Sequence, residues 1–165
     1  MKNKIWTKCL KLENLCLILA NQTPPKLKDT FKHQGLRQQL VNILKNKGIT
    51  DAKVLKAIDK IPRHLFMDSS FLDHAYQDKA FPIGADQTIS QPYIVAKMTE
   101  HLISHTSKRG RVMNKILEIG SGCGYQSAVL SYFADEICAM ERIKPLVIKS
   151  RENLRELRIR NIPVA

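Results

Sequence analysis

A glycine-rich turn with an acidic residue on either side is the part of this sequence best suited to chemistry. The stretch ILEIGSGCGY carries Gly120, Gly122 and Gly124, and Glu141 ends the next apolar run along the chain. Glycines at a strand-to-helix turn let the backbone approach a ligand, and a carboxylate that ends the second strand accepts hydrogen bonds from both hydroxyls of a ribose. This pattern predicts a nucleoside-binding site.

The details of the turn indicate which nucleoside it suits. The glycines follow GxGxG rather than GxGxxG, the sequence has no GK[ST] motif for phosphates, and Glu118 precedes the first glycine. An acid in that place would repel a pyrophosphate and would favour the sulfonium and ammonium groups of S-adenosylmethionine. The alternative for Glu118 is an ion pair with a neighbouring lysine at the strand end. The predicted cofactor residues are Glu118, Gly120, Gly122, Gly124 and Glu141, and no metal site is predicted.

A second polar stretch, DQTISQPY at residues 86–93, lies directly before a helical pattern. Ser90 is not expected to be a hydrolytic nucleophile, because no GxSxG surrounds it and the five histidines show no triad order. Pro92 suits the first position of a helix, which places Ser90 at the helix N-terminus. A serine in that position is of a type that commonly caps a helix.

Helices are predicted in the first half of the chain. The apolar spacing in residues 36–48 predicts an amphipathic helix closed by Gly48, and Thr50 or Asp51 is expected to cap a second helix that stops at Pro62. From IPRHLF to FPIGADQT we expect a structured loop with one short helix at 70–76, in which His64 and His74 are ordinary loop residues. A third helix follows from Pro92, with Tyr93 and Met98 expected in the core.

The second half of the chain alternates strands and helices. The runs at 115–120 and 136–142 are short, apolar and suited to buried strands, and each is followed by a helical pattern. A β-α-β-α order predicts parallel strands joined in a right-handed sense, in an α/β fold.

Composition limits the class of protein. A chain of 165 residues with 44% hydrophobic residues is expected to form a globular domain with a core. Its 27 Lys and Arg against 15 Asp and Glu give a net charge of +12, concentrated at the two ends. Neither end interleaves these bases with aromatic residues along the sequence, so a solvated basic face is predicted and no nucleic-acid partner is expected.

The cysteines and the N-terminal residues bear on location. The four cysteines form no CxxC pair, which favours reduced thiols in the cytoplasm; they are Cys9, Cys16, Cys123 and Cys138. The apolar run LCLILA is too short to span a membrane, so no membrane partner is expected. Residues 1–34 are interpreted as a leader or an extra helix, with a cleaved signal peptide as the alternative.

The combination of IPRHLF, FPIGADQTISQPY, ILEIGSGCGYQSAVL and MERI resembles the protein-L-isoaspartate O-methyltransferase family, especially its bacterial members. The resemblance runs from about Leu36 to Asn161. It implies a seven-stranded, Rossmann-like class I fold that uses S-adenosylmethionine, and methyl esterification of L-isoaspartyl and D-aspartyl residues in damaged proteins. It also implies that Ser90 is the active-site serine, and that Ser90 and Thr88, with the first helical N–H groups, donate hydrogen bonds to the substrate carboxylate unless Ser90 only caps the helix. Asp86 stands where bacterial members usually have glycine, which adds a negative charge near the substrate carboxylate.

The resemblance sets the remaining expectations. Isoaspartyl peptides and proteins are the expected partners, and a complete chain is expected to be monomeric. The domain is placed at 35–165, with N-terminal helices and only the first part of the sheet, because the sequence stops at NIPVA, where a third strand is predicted to begin. Two alternatives stay open: a non-catalytic remnant that binds cofactor or a partner weakly, and a methyltransferase for another acceptor such as RNA.

Overall fold

The structure, a computed structural model, describes residues 28–107 and 113–165, so the predictions for the leader before residue 28 lie outside it. Five helices and four strands are present in those ranges: α1 Phe31–Asn46, α2 Ala52–Lys60, β1 Phe81–Gly84, β2 Gln87–Ile89, α3 Pro92–Ser107, β3 Met113–Ile119, α4 Tyr125–Leu130, β4 Ala134–Met140 and α5 Lys144–Glu156. Two 3₁₀ turns, Arg63–Phe66 and Ser69–His74, lie between α2 and β1. Among the described helices, none has the length and apolar character needed to cross a membrane.

Local signals explain where the first two helices begin and end. α1 starts five residues before the predicted position because Thr30 and His33 form a capping box at its N-terminus. Gly48 follows its end with φ +89°, the left-handed conformation expected there. The Asp51 carboxylate accepts the N–H groups of Lys53 and Val54, which confirms it as the cap of α2.

β3 and β4 pair in parallel, as the sequence predicted, with Ile116 opposite Ile137 and Ile119 opposite Met140. Residues 161–165 lie along the other edge of β4: Ile137 N donates to the Asn161 carbonyl at 2.8 Å, and Glu141 N donates to the Ala165 carbonyl at 2.8 Å. β4 is therefore the middle of three parallel segments, and the connections through α4 and α5 give the chain a Rossmann-like arrangement.

The region predicted as a structured loop, from IPRHLF to FPIGADQT, has a 3₁₀ turn at Ser69–His74, where one short helix was expected, and it also contains a β-hairpin that was not expected. β1 and β2 pair antiparallel, and Ala85 and Asp86 make the turn with φ +51° and +55°. Such a turn normally carries Asn-Gly or a similar pair, so this sequence gave no hairpin signal. Asp86, which stands where bacterial members of the family usually have glycine, thus has a left-handed backbone conformation.

Two further predictions about burial are wrong. His64 is fully buried in the first 3₁₀ turn and is not an ordinary loop residue. Met98 is 48% exposed, because α3 buries the face that carries Val95 and Ile103. Tyr93 is half-buried against the core.

Candidate active site

A cavity of about 540 Å³ opens at the carboxyl ends of β3 and β4. It is lined by the ends of both strands and by the hairpin, through Ile83, Gln87, Thr88, Ile119, Gly120, Gly122, Met140, Glu141, Arg142, Ile143 and Ala165. The carboxyl edge of a parallel sheet is where ligands bind in folds of this kind. Lys149 of α5 helps to hold the hairpin wall in place, because its ammonium donates to the Ile83 carbonyl at 3.0 Å.

The three glycines of the turn do different work. Gly120 has φ +80° and faces open space, so a side chain there would be strained and would take up room beside the cavity. A Cβ on Gly122 would meet the Ile83 side chain at 3.2 Å. A Cβ on Gly124 would lie 2.6 Å from Ser150 Oγ, so Gly124 lets the turn pack against α5 and does not line the cavity.

Glu141 joins the glycine turn to the second strand. Its Oε2 accepts the Gly122 N–H at 2.9 Å, and its Oε1 accepts the Ile143 N–H at 2.9 Å. These two bonds fix the carboxylate where β4 ends, on the wall of the cavity. Glu141, Gly120 and Gly122 are thus brought together as the sequence predicted.

Glu118 lies elsewhere. Its carboxylate accepts the hydroxyl of Ser127 on α4 at 2.5 Å, and it is not among the residues that line the cavity. Burial raises the pKa of Glu118, although the Ser127 bond acts in the opposite direction. The structure shows neither a lysine partner for Glu118 in the described ranges nor a place on the cavity wall.

The predicted substrate residues flank the cavity on the hairpin side. Thr88 is exposed on β2 and lines the cavity. Ser90 is exposed just beyond it, and α3 begins at Pro92 as predicted, but Ser90 is not part of the lining. Its carbonyl accepts a hydrogen bond from Arg63 Nη1 at 2.9 Å, which fixes the backbone that carries the hydroxyl.

Arg63, which the sequence did not single out, connects this stretch to the glycine turn. It is fully buried, donates from Nη2 to the Lys79 carbonyl at 3.2 Å, and places its guanidinium 5.0 Å from the ring centre of Tyr125. Tyr125 is the first residue of α4, directly after Gly124. Burial lowers the pKa of Arg63. Only its place in IPRHLF could have marked it.

Asp78 holds the same stretch from the other side. It accepts the Tyr93 N–H at 2.8 Å, the Gln91 side-chain amide at 3.0 Å and the Lys47 ammonium at 2.6 Å. Burial alone would raise the pKa of Asp78, but these donors lower it. One of the helical N–H groups expected to face a substrate is therefore already used, which corrects that part of the prediction.

One group of potential metal ligands occurs among the described residues, at Asp29, His33 and His64. Both Asp29 oxygens are held by Arg37, at 2.8 and 2.9 Å, and His64 Nδ1 lies 2.6 Å from the Tyr76 hydroxyl. A guanidinium on the carboxylate opposes binding of another cation. The group attaches the start of α1 to the first 3₁₀ turn.

The fold and the cavity define a Rossmann-like domain of the kind found in class I methyltransferases, with a ligand site at the carboxyl ends of β3 and β4. A family model described as protein-L-isoaspartate(D-aspartate) O-methyltransferase matches residues 35–165. The chain belongs to this family.

Named relatives and solved structures agree with this assignment. The protein-L-isoaspartate O-methyltransferase of Christiangramia forsetii is 58% identical over 79% of this chain and 59% of its own length, and that of Flavobacterium psychrophilum is 56% identical over 81% and 60%. The chain therefore spans about three fifths of the length of these relatives.

Two solved structures resemble the fold. A protein-L-isoaspartate O-methyltransferase superposes with a TM-score of 0.64 at 27% identity, covering 78% of this chain and 41% of the other. A Plasmodium falciparum protein described as the same enzyme, solved in complex with S-adenosyl-L-homocysteine, superposes with a TM-score of 0.65 at 24% identity, covering 78% and 62%. The second likeness concerns the fold alone.

Proposed function

We propose that this chain provides the cofactor site and part of the substrate site for methyl esterification of L-isoaspartyl and D-aspartyl residues, the step that initiates repair of damaged proteins. The observation that carries the proposal is the cavity at the carboxyl ends of β3 and β4, where Glu141 is bonded to the glycine turn and Thr88 forms the facing wall. Membership of the family supports the choice of reaction.

The residues present suit S-adenosylmethionine as methyl donor. Gly120 leaves open space that a side chain would fill, and the Glu141 oxygens retain lone pairs for ribose hydroxyls beyond the two backbone bonds they accept. A volume of about 540 Å³ lies within the range of small-molecule sites. When bound, this cofactor supplies an electrophilic methyl group on a positively charged sulfur. In this proposal Glu118 and Gly124 do not contact the cofactor. They hold the glycine turn in place, Glu118 through its bond with Ser127 and Gly124 through its packing against α5.

The chain's own residues have a positioning task. The isoaspartyl carboxylate is ionised near neutral pH and is itself the nucleophile, so no general base is required. Ser90 and Thr88 orient that carboxylate through their hydroxyls, and in-line orientation makes the encounter effectively unimolecular. Arg63 and Asp78 keep Ser90 in place, because Arg63 holds the Ser90 carbonyl and Asp78 holds the Tyr93 N–H three residues further on.

Two narrower statements belong to the same proposal. We place the protein in the cytoplasm, supported by Cys123 and Cys138, which are both free thiols in the described structure. For a chain of the relatives' full length we propose a monomer whose partners are isoaspartyl peptides and proteins, and methyl transfer by this site requires no nucleic acid and no membrane.

Cofactor binding is the first test. Isothermal titration of the chain with S-adenosylmethionine should give a dissociation constant in the micromolar to millimolar range. Glu141→Gln should weaken binding about tenfold, because a neutral amide replaces a charged acceptor. Glu118→Gln tests whether that residue contributes to binding from behind the turn. Absence of binding by the unchanged chain at ~10 mM cofactor would contradict the proposal.

Substrate choice is the second test. Transfer of a labelled methyl group should be seen with an isoaspartyl peptide and not with the same peptide that carries a normal aspartyl residue. Ser90→Ala should lower the rate without changing cofactor affinity, and equal labelling of both peptides would remove the assignment of the substrate.

A further inference from the structure

A basic trough lies at the opposite end of the sheet from the cavity. Two adjoining grooves, of about 250 and 350 Å³, share Arg158, Ile159 and Arg160. Their cationic side chains are Lys60, Arg151, Arg155, Arg158 and Arg160, and no acidic side chain of the described residues lines either groove. Glu152 and Glu156 lie on α5, as Arg151 and Arg155 do, but they do not line either groove.

An exposed aromatic ring stands within this cationic surface. Tyr132 is 51% exposed and lines the same groove as Arg158 and Arg160. In the sequence these two arginines and this tyrosine are more than twenty residues apart. The basic and aromatic side chains are therefore not interleaved along the chain, and folding brings them together. The sequence-based reason for expecting no nucleic acid therefore does not apply to the folded surface.

The trough is held in a fixed shape. The Asn161 side-chain amide donates to the Ala134 carbonyl at 3.1 Å and to the Ser131 carbonyl at 3.4 Å, which ties the arginine loop to the turn that carries Tyr132. Arg151 donates to the Val164 carbonyl through both Nε and Nη2. These bonds fix the Arg151 side chain and the backbone on which Arg158 and Arg160 are carried before any partner arrives.

Helix stability alone does not account for this arrangement. A cation near a helix C-terminus is favoured by the helix dipole, and this effect explains Arg155, which lies in the last turn of α5. Arg160 lies beyond that turn, and Arg158 adopts φ +57°, a strained conformation in which glycine would be expected. None of the ion pairs within residues 28–107 and 113–165 uses these arginines.

We propose that this trough binds single-stranded nucleic acid, with the arginines on successive phosphates and one base stacked on Tyr132. A guanidinium group can donate two parallel hydrogen bonds to two oxygens of one phosphate. An exposed aromatic ring supplies a surface on which any base can stack. The trough lies where β4 starts and the cavity where it ends, about 20 Å apart for a seven-residue strand. The inference is independent of the proposed methyl transfer.

The test is fluorescence anisotropy with labelled oligouridylate and oligothymidylate of about a dozen nucleotides. We expect binding at ~50 mM salt that weakens steeply by ~200 mM. Arg158→Gln with Arg160→Gln should weaken binding at least about tenfold and should flatten the salt dependence. Tyr132→Ala should also weaken it, and Tyr132→Phe should retain it, since the ring is kept. Circular dichroism melting establishes that each variant is folded.

The matched control is Lys53→Gln with Lys56→Gln, which removes the same charge from the exposed side of α2. An equal loss in the control pair would attribute binding to net charge and would overturn the proposal. Absence of binding by the unchanged chain would also overturn it. A third contrary result would be that oligoglutamate of matched charge binds as tightly as the oligonucleotides and that Tyr132→Ala has no effect, which would define the trough as a surface for acidic peptides.

Discussion

Arg63 is fully buried, and its two hydrogen bonds within the described residues end on the backbone carbonyls of Ser90 and Lys79 rather than on a carboxylate. A buried charge that is not directly paired is destabilising by itself, and the two hydrogen bonds of Arg63, its contact with the Tyr125 ring and the negative charge of Asp78 offset the loss of water. Since one of its bonds ends on the Ser90 carbonyl and its ring contact is with Tyr125, Arg63 couples the substrate stretch to the start of α4.

Arg63→Lys should separate positioning from general stability. Lysine keeps the charge but not the forked donor geometry, so the Ser90 carbonyl should lose its fixed partner. We expect faster amide hydrogen exchange across residues 87–93 and roughly tenfold weaker binding of an isoaspartyl peptide, with cofactor affinity unchanged within about twofold. Arg37→Lys, a buried arginine away from the cavity, is the control and should leave the exchange of residues 87–93 unchanged. Parallel loss of cofactor and peptide affinity would mean that Arg63 only stabilises the core.

At the scale of elements, Glu100 fixes α3 to the start of α2. One of its oxygens accepts the N–H groups of Thr50 and Asp51, at 2.7 and 2.9 Å, and the other accepts the Lys97 ammonium at 3.1 Å. Burial alone would raise the pKa of Glu100, but these donors lower it from 4.5 to about 2. A carboxyl whose folded pKa is depressed stabilises the fold above its unfolded pKa and loses that contribution as the pH falls through the folded value.

Glu100→Gln should therefore be pH-dependent in its effect. At pH 7 we expect the variant to lose about 1 kcal/mol in the free energy of unfolding, because a neutral amide accepts these bonds less strongly. The difference from the unchanged chain should shrink as the pH falls from 4.5 to about 2, where the carboxyl becomes neutral in both states. Urea unfolding followed by circular dichroism at several pH values measures it, and a constant difference would contradict the role assigned to the charge.

The elements also show what a sequence can and cannot reveal. β3 and β4 were predicted because each contains a short apolar run that is bounded by glycine or an acid. Each of these runs is followed directly in the chain by a helical pattern. The β1–β2 hairpin was missed because its strands have only four and three residues and its turn, Ala85 and Asp86, lacks the usual residue types. The start of α1 was misjudged for another reason: its cap, Thr30, lies before the apolar pattern from which the helix was predicted.

The candidate site follows the same division. The glycine turn and Glu141 were found because strand, turn and acid occur in a fixed order along the chain. Arg63 and Asp78 act on Ser90 and Tyr93 from 27 and 15 residues away, and contacts of this range leave no periodic signal. Glu118 was assigned by charge alone, and only the fold shows that its carboxylate is directed to Ser127.

At the scale of the whole molecule, the sheet has one covered face and one open face. Ile116 and Ile137 are buried, whereas Leu117 is 61% exposed, Ile119 is 78% exposed and Met140 is 49% exposed. Within the described residues, β3 has a hydrogen-bonded partner strand on one side only. An apolar face next to an unpaired strand edge is a surface on which copies of a chain associate.

The chain as it stands should accordingly self-associate through this face. We expect Leu117→Thr, at a position outside the cavity lining, to shift sedimentation velocity profiles toward the monomer, because threonine keeps the preference for a strand while removing apolar surface. Ile148→Thr is the matched control, since Ile148 is 58% exposed on α5, away from the strand edge. If the control reduces association as much as the strand variant, exposed apolar area in general drives it. If neither variant changes it and the chain still associates, the contact lies outside the open face of β3.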